Sequence, residues 1–271
     1  MQSHDDYFLS GGVRLRFRDE GRGMPVVFIH GWTVDLEVWD PQSAALAHSM
    51  RVIRFDRRGF GRSDGTPDLA ADCDDLRALL DRLGIARAAL VGASQGARVV
   101  LAFATREPER IMSIVLDGPP DEIGNSAVAG DEDFSVDEFR RLVRDGGVDA
   151  FRRAWRNNAL MRLHSADPGA RALLESMLAR YPARDLLEPG SKPSPPVAAA
   201  MLAQLAAPAL IVNGRLDTKT RLRAGERLAR VLPQAERILI PDAGHLPNLD
   251  NPVAYNEAVG NFLQRQSRAA A

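Results

Sequence analysis

The chain has 271 residues, with 35 Lys and Arg against 36 Asp and Glu, so no net field draws it to phosphate backbones or anionic lipid. Its single cysteine, Cys73, excludes an intramolecular disulfide framework and a structural metal held by several thiolates. The opening residues Met1-Gln2-Ser3-His4-Asp5-Asp6 are acidic and polar where a signal peptide is basic and then apolar, and no apolar run approaches membrane-spanning length. The expectation is a soluble cytoplasmic protein acting on a small molecule, with neither nucleic acid nor membrane as partner.

In chain order, residues 7–9 and 13–17, separated by Ser10-Gly11-Gly12, predict an antiparallel hairpin at a sheet edge. Short apolar, β-branched runs follow at 26–29, 52–55, 88–91, 111–116, 209–212 and 237–240, with helical patterns between them that include 76–83, 97–105 and 224–231. That alternation is the signature of crossover units building a mostly parallel sheet, an α/β fold. The rhythm breaks between Leu116 and Ala209, where helical patterns occur without a strand pattern, so this stretch reads as an inserted cap. The predicted division is core over 1–118, cap over 119–206 and core again over 207–271. Within the cap, Ser135 and Glu138 have capping-box spacing, Asp167 before Pro168 predicts a helix start, and residues 187–196, rich in proline, glycine and serine, predict the loop returning to the core.

The chemistry concentrates where strands end. Gly92-Ala93-Ser94-Gln95-Gly96 lies between a strand pattern and a helix pattern, the context that gives G-x-S-x-G its meaning: a sharp turn that exposes the serine hydroxyl, with a helix N-terminus beyond it. A serine hydroxyl needs a base to take its proton. His245 is the best placed of five histidines, in Asp242-Ala243-Gly244-His245-Leu246-Pro247 directly after the last strand pattern. The imidazole in turn needs a carboxylate on its far nitrogen. Asp217, after the 209–212 strand, fits that role, and Asp117, after the 111–116 strand, competes for it. Backbone amides of Gln95 and of Trp32, in His30-Gly31-Trp32, would form an oxyanion hole, with the Trp32 indole free to line the pocket and the His30 ring bracing the loop.

Together these residues resemble the α/β-hydrolase superfamily, over nearly the whole chain from about Gly11 to Phe262. His30-Gly31-Trp32 looks like that family's oxyanion loop, Asp56-Arg57-Arg58-Gly59-Phe60-Gly61-Arg62-Ser63 like its D-x-x-G-x-G-x-S turn, and residues 92–96 like its nucleophile elbow. The resemblance implies an eight-stranded, mostly parallel sheet flanked by helices, with a helical cap after strand 6. It also implies a serine hydrolase cleaving an ester or lactone through an acyl-enzyme, without cofactor or metal. Carbon-carbon bond hydrolases and haloperoxidase-like perhydrolases share the same three residues, and a non-catalytic receptor on this scaffold is a further alternative. Gln95 departs from the methionine or leucine common in the enol-lactonase and carbon-carbon hydrolase groups. Substrate choice is expected from the cap and loops, with Trp32, Phe151, Trp155, Met161 and Leu246 as candidate lining. Arg140, Arg141, Arg144, Arg152, Arg153 and Arg156 make the cap basic, and an inward guanidinium there would pair with a substrate carboxylate.

Overall fold

The alternating runs form one sheet of eight strands: β1 (Asp6–Ser10), β2 (Val13–Gly21), β3 (Pro25–Ile29), β4 (Arg51–Phe55), β5 (Ala88–Ala93), β6 (Ile111–Asp117), β7 (Ala209–Gly214) and β8 (Ala235–Ile240). The computed structural model describes residues 4–121, 133–188 and 197–269. The spatial order is β1-β2-β4-β3-β5-β6-β7-β8; β2 runs antiparallel to both neighbours, and every pairing from β4 to β8 is parallel. Both sheet faces are covered, which is why the central strands read as continuous apolar runs. In β3, Val26 and Phe28 join one core cluster while Val27 and Ile29 join the other, as the two-residue alternation of a strand requires.

Strands β5, β6 and β7 run past their apolar patterns, to Ala93, Asp117 and Gly214. These extra residues form the carboxyl edge where the candidate site lies, so hydrophobicity alone stops short of them. The helices expected at 76–83, 97–105 and 224–231 start earlier, as Asp72–Arg82, Gln95–Arg106 and Lys219–Val231. Their first turns are polar: Asp72, Asp74 and Asp75 sit at a helix N-terminus, where the dipole favours negative charge although apolar periodicity does not register them. A final helix, Pro252–Ala269, packs Tyr255, Val259, Phe262 and Leu263 into the core at helical spacing.

Between β6 and β7 the described residues form helices and no strand: Val136–Arg156, interrupted at Gly147 with φ 75°, then Pro168–Arg180, Arg184–Leu187 and Ala199–Leu202. Ser135 accepts a hydrogen bond from the Glu138 amide at 3.3 Å, and Asp167 accepts from the Gly169 amide at 2.9 Å ahead of Pro168, so both helix starts form as their spacing predicts. Residues 189–196 of the expected return loop lie outside the described residues.

Candidate active site

Ser94 sits at the turn from β5 into the helix Gln95–Arg106, with φ 49° and ψ −114°, a left-handed conformation costly for a side-chain-bearing residue. The turn is possible because its flanks are glycine: a Cβ on Gly92 would lie 2.4 Å from the Gly96 carbonyl oxygen, and one on Gly96 would lie 2.3 Å from that of Ile29. The Ser94 amide donates to the Asp117 carbonyl at 2.7 Å, which ties the elbow to the end of β6.

His245 and Asp217 meet from consecutive loops. His245 Nδ1 lies 3.1 Å from Asp217 Oδ1, and the Asp217 carboxylate also accepts the Thr218 amide at 2.8 Å. Two glycines permit the approach. A Cβ on Gly214 would strike the Gly244 carbonyl oxygen at 2.0 Å, and one on Gly118 would stand 2.8 Å from His245 Cε1. The His245 ring therefore rests on Gly118, the residue after the Asp117 that holds the Ser94 amide. Leu216 donates its amide to Ala243 at 2.8 Å, joining the two loops. Burial alone would raise the Asp217 pKa, but the charge and hydrogen bond of His245, with the Thr218 amide and Arg221, hold it below the ordinary carboxylate value. The competing acid, Asp117, is also buried at the carboxyl edge, yet its side chain makes no hydrogen bond to His245.

The loop after β3 lies against Ser94, with the Cβ position of Gly31 3.4 Å from Ser94 Cβ. His30 braces it. The ring is fully buried and its pKa is pushed down to about 3, by burial first and by Arg57 second. It is therefore neutral, donating through Nδ1 to the Gly31 carbonyl at 2.7 Å and accepting the Arg57 amide on Nε2 at 3.0 Å. The Trp32 indole, expected to be free, is held: its Nε1 donates to Asp185 at 2.6 Å, and its ring stacks on Phe134 and meets Phe151, Trp155 and Tyr181. The Tyr181 hydroxyl donates to the same Asp185 carboxylate. Thr33, also at positive φ, accepts the Trp155 indole N–H at 2.7 Å. Trp32, Phe151 and Trp155 thus come together as one aromatic cluster clamping the helices after β6 onto this loop. Leu246 is buried beside His245, whereas Met161 borders a separate groove with Arg156, Arg162 and Arg171.

Three of the six arginines expected to make the cap basic are engaged locally. Arg140 pairs with Asp137, Arg152 with Asp149 and the Tyr181 carbonyl, and Arg156 with Glu175. A buried arginine from the loop after β4 lies nearer the elbow. Arg57 donates to Asp72 at 2.8 Å and, through Nη1, to Gln95 Oε1 at 2.9 Å. Asp250 accepts the amides of His164, Ser165 and Gly244 at 2.6, 3.0 and 2.8 Å, fastening the His245 loop to the segment after β6. Arg57 enters the sequence reading only as part of the Asp56–Ser63 turn and Asp250 not at all, since their partners are distant along the chain. Among the described residues no three His, Cys, Asp or Glu side chains group as metal ligands, and no helix is long and apolar enough to cross a membrane.

A strand-to-helix elbow at β5, a histidine loop after β8 and an acid loop after β7 define a hydrolase class of α/β protein. The chain belongs to the α/β-hydrolase family, whose alpha/beta hydrolase fold model matches residues 24–252. It is 32% identical to 2-hydroxymuconate semialdehyde hydrolase of Pseudomonas sp. strain CF600, over 97% of this chain and 94% of that protein. Among solved structures it resembles the enol-lactonase of Burkholderia xenovorans LB400, with TM-score 0.81 and 26% identity over 96% of this chain and all of the other. It also resembles a thermophilic esterase of Thermogutta terrifontis, solved with malate bound, with TM-score 0.79 and 26% identity over 98% of this chain and all of the other.

Proposed function

We propose that the protein is a serine hydrolase that cleaves an ester or lactone of a small molecule through an acyl-enzyme. The observation that carries this reading is the His245–Asp217 hydrogen bond at 3.1 Å on loops that converge with the strained Ser94 elbow. In this reading His245 Nε2 takes the Ser94 hydroxyl proton as Oγ attacks the carbonyl carbon, and the backbone amides of Trp32 and Gln95 bind the oxyanion. Asp217 holds the imidazole with Nδ1 protonated and stabilises the imidazolium. The same proton then passes to the leaving oxygen. Water, deprotonated by His245, attacks the acyl-enzyme and releases the acid.

Residues 119–206 act in this account as the cap that shapes the acyl pocket, with Trp32 and Leu246 as apolar wall and the sealed Phe151 and Trp155 packed behind it. Met161, on a separate groove, contributes to cap packing. The neutral His30 takes no part in proton transfer.

A second reading, carbon-carbon bond hydrolysis by the same three residues, is favoured by the 32% identity to 2-hydroxymuconate semialdehyde hydrolase. Parallel assays of p-nitrophenyl esters of graded chain length, small lactones and vinylogous 1,5-diketones separate the two. The ester and lactone reading expects the highest kcat/KM on the first two groups, and a preference for the diketones would replace it with the second.

A further inference from the structure

We propose that the Gln95 side-chain amide is a specificity-determining hydrogen-bond donor, binding an ether, keto or ring oxygen that the acyl group carries beside the scissile carbonyl. The proposal rests on the reading of Ser94 as nucleophile and names the substrate feature that site selects.

The orientation of this amide is fixed by chemistry. A guanidinium has only donors, so the atom facing Arg57 Nη1 at 2.9 Å is the Gln95 oxygen, and the two Nε2 hydrogens point away from it. Among the described residues Nε2 has no protein partner, yet it is not sealed from solvent as a buried unpaired group would be, and Gln95 is half-buried. It is a solvent-accessible donor on the residue next to Ser94.

Its position follows from the packing around it. Gly96 abuts the carbonyls of Ile29 and His30, Arg57 Nη1 lies 3.5 Å from the His30 carbonyl, and Gly31 faces Ser94 Cβ. Arg57 Nη1 thus contacts both the Gln95 oxygen and the His30 carbonyl, so the Gln95 side chain lies where the elbow meets the loop carrying Trp32, whose amide is given the acyl oxyanion in the proposed reading. Arg57 is 1% exposed, paired with Asp72 and set over the Phe60 ring, so the amide it grips is already ordered before substrate arrives. The Gln95 amide is itself uncharged and is polarised by the Arg57 guanidinium, which suits it to an uncharged oxygen. A leucine or methionine at this position would leave both Arg57 Nη1 and the substrate oxygen without this partner.

The test compares p-nitrophenyl methoxyacetate with p-nitrophenyl butyrate, which differ by an oxygen in place of one methylene, in wild type, Gln95→Leu, Gln95→Glu and Ser94→Ala. The readout is the ratio of kcat/KM for the two esters, which cancels their intrinsic reactivity between variants. Gln95→Glu keeps an acceptor for Arg57 but removes the donor. The expected result is a fall of about three- to tenfold in the methoxyacetate-to-butyrate ratio in both Gln95 variants. An unchanged ratio in Gln95→Glu would overturn the proposal and leave Gln95 as a prop for Arg57, even if Gln95→Leu fails to fold. Hydrolysis of both esters surviving in Ser94→Ala would instead overturn the underlying assignment of the nucleophile.

Discussion

Asp117 at the end of β6 lies within electrostatic reach of Asp217, and the two carboxyls are driven in opposite directions. Burial, and then repulsion from Asp217, pushes the Asp117 pKa well above its ordinary value, with the Tyr255 hydroxyl opposing the rise. Asp217 is held below its own by His245. Asp117 makes no hydrogen bond to His245 and has the Tyr255 hydroxyl beside it instead. The surroundings thus favour the charged form at Asp217 and the protonated form at Asp117.

A raised carboxyl pKa means the folded state holds the proton more tightly than the unfolded chain. The stability cost of Asp117 is thus absent below the ordinary carboxylate pKa and grows as pH rises toward the folded value. Asp117→Asn removes the ionisable group while keeping its shape. Its thermal midpoint is expected to match wild type near pH 4 and exceed it by about 2–4 °C at pH 8, with kcat unchanged within about threefold. Thermal scans across that range check the sign; a gain at acid pH that vanishes at pH 8 contradicts it.

Asp250 gathers three backbone amides, including that of Gly244 beside His245. In Asp250→Ala those N–H groups lose a charged acceptor, at a cost of about 2–4 kcal/mol. The loop should also loosen, lowering kcat by more than tenfold. Denaturant melts alongside ester kinetics test both effects; a variant that loses stability but keeps full kcat would show that Asp250 does not position His245.

Asp185 receives the Trp32 indole N–H and the Tyr181 hydroxyl together. Asp185→Ala leaves two buried donors unpaired beside the expected oxyanion loop, and a loss of about 2–3 kcal/mol follows. A red-shifted tryptophan emission should accompany it as water reaches the cluster. Emission and stability identical to wild type would mean that the Trp32 ring is held by aromatic packing alone.

The strands and the elbow were legible because their signals are local: β5 is a continuous apolar run, and Gly92 to Gly96 carries its own steric logic. The carboxyl ends of β6 and β7 were cut short because Asp117 and Asn213 are polar where the ladder continues. Asp217 is favoured over Asp117 from its place after the strand preceding that of His245, while the hydrogen bond from His245 Nδ1 to Asp217 depends on loop geometry that no local pattern encodes. The grip of Arg57 on Gln95 spans 38 residues and that of Asp250 on His164 spans 86, and no periodicity encodes either. The Trp32 indole could be assigned to a pocket but not to Asp185, 153 residues away, because that partner depends on how the helices after β6 close over the sheet.

The central claim, that Ser94 is the nucleophile, is tested most directly by treating the protein with a fluorophosphonate and mapping the adduct by mass spectrometry. The account predicts a single adduct on Ser94, abolished in Ser94→Ala together with a loss of ester turnover of at least about a thousandfold. An adduct elsewhere, or ester hydrolysis that persists in Ser94→Ala, would contradict it.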